Sequence, residues 1–170
     1  MRFLTIFLLL FVTGAAYAEP DPETSTYTTV FEALRRSEPE AEALDRLMSK
    51  KSPYTSQDAQ LAKSKEVTLK AVYDTQRKTL ATIKKPRQAD LRQFVQTMLD
   101  EQEKWARAAA LVTDQEAKAM EYFKGKSSGY DQDRGPALLQ IQRQNAGQSR
   151  TAYVQARTAA GAKFQSLMKY

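Results

Sequence analysis

Apolar side chains recur at mostly three- and four-residue spacing through Leu61, Leu69, Val72, Tyr73, Leu80 and Ile83. That spacing puts them on one face of an α-helix. Thr55-Ser56-Gln57-Asp58 offers hydroxyl caps and an acid for the first turn, so the helix is predicted to begin there. Lys84 and Lys85 suit its negative end, and Pro86 stops it. A longer stripe follows at Leu91, Phe94, Val95, Met98, Leu99, Trp105, Ala109, Val112, Ala119, Met120 and Phe123. Unbroken from Gln88 to Lys124, it predicts a helix roughly 55 Å long. Thr113-Asp114-Gln115-Glu116 matches a capping box, which leaves a break at Thr113 as a second option. Gly, Ser and Asp between Gly125 and Gly135 spell a loop. Pro136 then opens a last helix whose apolar face is Leu138, Leu139, Ile141, Ala146, Tyr153, Val154, Ala160, Phe164, Leu167 and Met168. Gly147 and Gly161 either weaken that helix, each by about 1 kcal/mol, or admit a close neighbour.

The pattern is different before Thr55. Residues 30–51 hold two short helical pieces split near Ser37-Glu38-Pro39, with Pro39 in the first turn of the second. Residues 19–29, rich in Pro, Thr and acid, read as an extended leader. Residues 1–18 read as a signal peptide: Arg2, the apolar stretch Phe3–Val12, and Ala16-Tyr17-Ala18 before the cut. The expected mature chain is therefore exported, most simply to a bacterial periplasm, and has no transmembrane segment. A lone amphipathic helix cannot bury its stripe, so the fold class expected is all-α. Residues 55–170 should form an antiparallel three-helix bundle, with the two short N-terminal helices capping it. Trp105 falls in the middle of the central stripe, where a core role is expected and Ala108-Ala109-Ala110 leave room for the ring.

Composition narrows the chemistry. The chain has 170 residues and contains neither His nor Cys. That removes the commonest general base, the commonest metal ligand and all thiol chemistry. Asp100, Glu101 and Glu103 cluster, but on a helix only Asp100 and Glu103 share a side. No nucleophile-elbow, phosphate-loop or zinc-helix pattern is present. A non-catalytic protein without metal or cofactor is expected.

Charge adds a direction. Residues 59–87 carry eight bases against two acids, and 126–170 seven against two, whereas 19–58 and 88–125 are net acidic. These can be solvated faces and interhelical pairs. They can also serve a partner, either an anionic envelope component or a protein. The candidate contacts are Lys78, Lys84, Lys85 and Arg87 for an anionic surface, and Asp100, Glu101 and Glu103 with the leader acids for a basic protein. Nucleic acid is not expected, since no recognition motif or aromatic stacking array is present.

The order of features from Val67 resembles the small exported helical domain named after the lysozyme inhibitor LprI. VTLKAVYDTQRKTL, LRQFVQTMLDEQEKWARAAA, a Gly/Ser loop and PALLQIQRQNAGQSRTAYV stand in the family's order. The matching positions are Leu69, Tyr73, Gln102, Trp105 and Arg150. The family's arginine after the tryptophan falls on Ala109, and its two cysteines fall near Thr113 and near Gln142. The resemblance implies a non-catalytic exported binding protein that inhibits a cell-wall lytic enzyme. The charge pattern alone suggests an envelope protein attached to anionic membrane or cell wall.

Overall fold

A computed structural model describes residues 21–50, 53–126 and 130–167 of the chain. The expected signal peptide lies outside them. Four helices follow one another: α1 (Pro22–Met48), α2 (Ser56–Ala81), α3 (Ala89–Phe123) and α4 (Gly135–Leu167). No strand occurs among the described residues. The helical bundle stands, but as four long helices rather than three with two short ones.

The correction lies in α1. Pro39 sits inside one helix of 27 residues instead of starting a new one. Proline removes an N–H and frees the carbonyl four residues back, here that of Arg35. Both Pro39 and Arg35 are exposed, so water can satisfy that carbonyl. The segment expected to be extended is helical from Pro22, which occupies the first position that proline favours. Its threonines turn inward on the backbone: the hydroxyls of Thr26, Thr28 and Thr29 donate to the carbonyls of Pro22, Thr24 and Ser25 at 2.8, 3.0 and 3.1 Å. What drives the helix is burial of Glu23, Tyr27 and Val30 along one face.

The cap expected for α2 is present. The Asp58 amide donates to the Thr55 hydroxyl oxygen at 3.2 Å, and the Thr55 amide donates to the Asp58 carboxylate at 2.8 Å. The helix ends at Ala81, so Lys84 and Lys85 stand in the turn beyond it rather than in its last coil. Helix α3 runs unbroken through Thr113. That residue is fully buried, and its hydroxyl donates back to the carbonyls of Ala109 and Ala110 at 3.1 and 3.0 Å. A hydroxyl satisfied within the helix has no need to cap a new one. At 35 residues, α3 is about 52 Å long. It closes on Gly125 at φ 69°, with Gly125 N–H donating to Tyr122 O and Lys126 N–H to Glu121 O, both at 2.9 Å. Those paired bonds are the Schellman stop, and they require a residue free to adopt positive φ.

Cross-helix pairs set the topology. Ser56–Glu121, Lys70–Glu103 and Arg77–Asp100 run α2 against α3. Asp90–Lys163, Trp105–Arg150 and Glu116–Arg143 run α3 against α4. Phe31–Phe164, Glu38–Arg157 and Asp45–Arg150 close α4 on α1. In every pairing one number rises as the other falls, so neighbours are antiparallel and the bundle is up-down-up-down. The α3–α4 seam is the most extensive, because Ala106, Ala109, Ala146, Ala156 and Ala160 let the backbones approach. The core is formed by Tyr27, Val30, Leu44, Leu69, Tyr73, Leu80, Leu91, Val95, Leu99 and Val112, all at or near zero exposure. Leu61, Phe94, Leu138, Ile141, Val154 and Phe123, read as stripe positions, are instead exposed. Neither Gly147 nor Gly161 admits a close neighbour: a Cβ at either would meet nothing within 4 Å.

Candidate functional site

Two sets of residues converge in the fold, one at the middle of the rod and one at an end. In the middle, Trp105 is 3% exposed, and the guanidinium of Arg150 lies 5.0 Å from its ring centroid and 5.2 Å from that of Tyr153. Arg150 also pairs with the Asp45 carboxylate of α1. Arg157, one further turn pair along α4, donates to the Tyr153 hydroxyl at 3.4 Å and pairs with Glu38 at 2.6 Å. Leu69, Tyr73 and Gln102 are buried in the same core. Tyr73 brings its hydroxyl in without a hydrogen-bond partner, as does the side-chain oxygen of Gln76. Burial pushes the Tyr73 phenol well above its ordinary range, with Tyr153 and Glu103 adding to the effect. Burial likewise raises Asp45, which Arg150 partly offsets. This arrangement can lock three helices together.

The end is formed by the α2–α3 turn, residues 82–88. Four contacts hold that turn. The Glu23 carboxylate, nearly buried, accepts from the backbone N–H groups of Arg87 and Gln88 at 2.9 and 3.1 Å. The Tyr27 hydroxyl donates to the Gln88 carbonyl at 3.4 Å. Arg92 donates to the Ile83 carbonyl at 2.7 Å. Arg87 pairs with Asp21. Burial, with the Glu23 carboxylate beside it, pushes the Tyr27 phenol up to about 12. Ile83 sinks into the core, which turns Lys84 and Lys85 outward. Lys78, exposed in the last turn of α2, stands on the same end.

Charge pairing separates the expected contacts. Among the described residues every Asp and Glu except Glu121, Asp131 and Asp133 lies in an ion pair. Asp100 is taken by Arg77 at 2.9 Å, Glu103 by Arg77 at 2.7 Å and Lys70 at 3.5 Å, and Glu101 by Lys104 at 2.6 Å. Arg87 is occupied with Asp21 and stands 3.9 Å from Glu23. Lys78, Lys84 and Lys85 have no ion pair within the described residues. The sequence reading named Lys78, Lys84, Lys85 and Arg87 together, and of these four Arg87 alone lies in an ion pair among the described residues. That reading missed Glu23, Tyr27 and Arg92, which hold the turn. Glu23, Tyr27, Val30 and Leu34 do fall at helical spacing, so the signal existed beneath the threonines.

The opposite end differs. Tyr122, Phe123 and Tyr130 form a ring cluster with centroids 5.6–6.2 Å apart, and Phe123 is 73% exposed. Its exposed cations Lys124, Lys126 and Arg134, like Asp131 and Asp133, lie in no ion pair among the described residues. The Asp131 carboxylate accepts from the backbone N–H groups of Asp133 and Arg134, both at 3.0 Å. Two hollows are shallow or small: an open trough along α4 over Gly147 and Thr151, and a polar cavity of about 100 Å³ between Glu23, Tyr27 and Arg87. No group of three or more acids that could hold a metal ion occurs among the described residues. No helix of those residues is long and apolar enough to cross a membrane. No family model, curated protein or solved structure matches the chain.

Proposed function

We propose that the chain is a non-catalytic, exported envelope protein that attaches to an anionic component of the envelope through Lys78, Lys84 and Lys85. The observation that carries this reading is the split between spent and free charge. The carboxylates are almost all neutralised inside the molecule, while three ammonium groups on one braced end have no counter-charge. A fixed, unpaired cluster of one sign attracts the opposite sign over roughly a Debye length, about 8 Å at physiological salt. The absence of His and Cys from the sequence supports a non-catalytic role, as does the engagement of Asp100 and Glu103 by Arg77. Export is supported by Arg2, the apolar stretch and the Ala16-Tyr17-Ala18 tripeptide.

Co-sedimentation with purified cell wall or with anionic vesicles tests it. Binding should fall as salt rises; absent or salt-independent binding contradicts it. The lysozyme-inhibitor resemblance would need an acidic face for a basic enzyme, and the described acids named for it, Asp21, Glu23, Glu38, Glu40, Glu42, Asp100, Glu101 and Glu103, are already paired. An inhibition assay decides between the two: measurable inhibition of a lytic enzyme at modest molar excess would favour the resemblance over the charged end.

A further inference from the structure

We infer that the outer face of α4 is a homodimer surface, on which a second copy of the chain docks antiparallel about a two-fold axis near Thr151. Charge carries the argument. The four charged residues of α4 all reach to neighbouring helices: Arg143 to Glu116, Arg150 to Asp45, Arg157 to Glu38 and Lys163 to Asp90. The outward side is left to Gln140, Gln144, Gln148, Thr151, Gln155 and Thr158, all exposed and uncharged. The other helices carry ion pairs within their own exteriors, such as Glu32–Arg36 on α1, Lys70–Asp74 on α2 and Asp114–Lys118 on α3. No pair of that kind lies along α4 among the described residues. A face cleared of charge has the composition of an interface core, where Lys, Asp and Glu are depleted.

A second copy fits this face better than a charged partner does. The chain is net positive, so two copies repel over most of their surface, and a neutral strip is where they can meet. Position agrees. The open trough lined by Gln144, Gln148, Thr151, Ala152 and Gln155, with Arg143 at its rim, lies at the midpoint of α4. A two-fold axis through it aligns the whole helix with its copy. In that register Arg143, Arg150 and Arg157 come opposite Ala159, Ala152 and Asn145, so no like charges face each other. Length agrees too. The 33 residues of α4 make a strip about 50 Å long and about 10 Å wide, in projection about 1,000 Å² over both copies. That reaches the lower bound of a specific interface, and the half-exposed Ile141 and Val154 at its borders add apolar area. Because Lys163 of α4 meets Asp90 beside the α2–α3 turn, an antiparallel pair carries Lys78, Lys84 and Lys85 at each of its two ends. The pair can then hold two anionic surfaces at once; that consequence alone rests on the attachment proposed for those lysines.

The test uses residues 19–170, the expected exported form, which holds all four helices. Sedimentation of the wild type should show a concentration-dependent dimer in the micromolar range, as suits a modest interface. Gln148→Glu/Thr151→Glu sets like charges across the axis and should weaken the dimer roughly tenfold or more. Gln60→Glu/Val67→Glu makes the same change at exposed positions of α2 and should leave it intact. The chain has no cysteine, so a single introduced one reports only on its counterpart in another copy. Under mild oxidation Thr151→Cys should cross-link to itself. Gln144→Cys and Thr158→Cys should cross-link when mixed and hardly at all when alone. A wild type that stays monomeric, or equal weakening by both glutamate pairs, overturns the inference. So does a Gln144→Cys chain that cross-links alone as readily as in the mixture, which belongs to a parallel pair or another register. No readout here uses an anionic surface, so the dimer can fail while attachment through the lysines stands, and the reverse.

Discussion

The guanidinium of Arg150 lies over the indole of Trp105, 5.0 Å from its centroid, while its Nη2 pairs with Asp45. One side chain of α4 thereby joins α3 to α1 at the middle of the rod. A cation over an indole contributes about 0.5–2 kcal/mol depending on how dry the site is. The ring itself is core, so Trp105→Ala should lower stability by about 3–5 kcal/mol. Urea unfolding followed by far-ultraviolet circular dichroism reads this directly, and an unchanged midpoint would mean the ring packs nowhere.

Arg150→Met should destabilise more at neutral pH than at acid pH. Burial raises the Asp45 pKa in the fold, and Arg150 opposes that rise. A carboxyl raised above its unfolded value of 3.8 contributes most stability below that value, and loses it as pH climbs through the folded value. Removing the cation leaves the neutral-pH carboxylate uncompensated, so the gap between variant and wild type should narrow towards pH ~3. Equal gaps at both pH values would show that Asp45 is indifferent to Arg150.

Asp58 has the opposite sign. Its side-chain bond to Lys50 and the Thr55 amide hold its pKa down, to about 2. A depressed carboxylate stabilises above the unfolded value of 3.8, and that contribution disappears as pH falls through about 2. Asp58→Asn should therefore melt lower than wild type at neutral pH and converge on it in strong acid. Thr55→Ala, which breaks the hydroxyl half of the cap, should cost about 1 kcal/mol. A cap variant as stable as wild type at neutral pH would show that the box does not hold the start of α2.

Tyr73→Phe should be neutral or stabilising, by up to about 1 kcal/mol, because it removes a buried hydroxyl that has no partner. Gly147→Ala should also stabilise, by about 1 kcal/mol, since its helix face is open and its backbone ordinary. Gly125→Ala should destabilise by about 1–2 kcal/mol, because φ 69° strains any residue with a Cβ. Thermal melts of the three order the claims: a Gly147 variant falling with Gly125 would place a neighbour where the fold shows space.

Much of this architecture was legible, and the misses have physical causes. Leu69, Tyr73 and Leu80 were read from period alone, and all three are at zero exposure. Thr55 and Asp58 were readable because a cap is a local interaction of adjacent residues. Pro39 misled because its penalty depends on whether the freed carbonyl reaches water, which sequence does not display. The threonines of α1 hid a stripe that only tertiary burial of Tyr27 and Val30 makes decisive. Thr113 resembled a cap, yet a buried hydroxyl can satisfy itself on the preceding turn. At the candidate site, the cations Lys78, Lys84 and Lys85 could be named from the chain. Which charges remain free could not, because Arg87 meets Asp21 and Arg77 meets Asp100 only after folding.

The central claim is that attachment depends on unpaired cations at one end and not on net charge. It is tested most directly by two variants of equal charge change, compared on the same anionic material at the same salt. Lys84→Gln/Lys85→Gln removes two free lysines of the turn; Lys63→Gln/Lys118→Gln removes two that are paired with Glu66 and Asp114. Binding should collapse in the first and persist in the second. Equal loss in both would mean that overall charge alone drives binding and that the end of the rod is not a site.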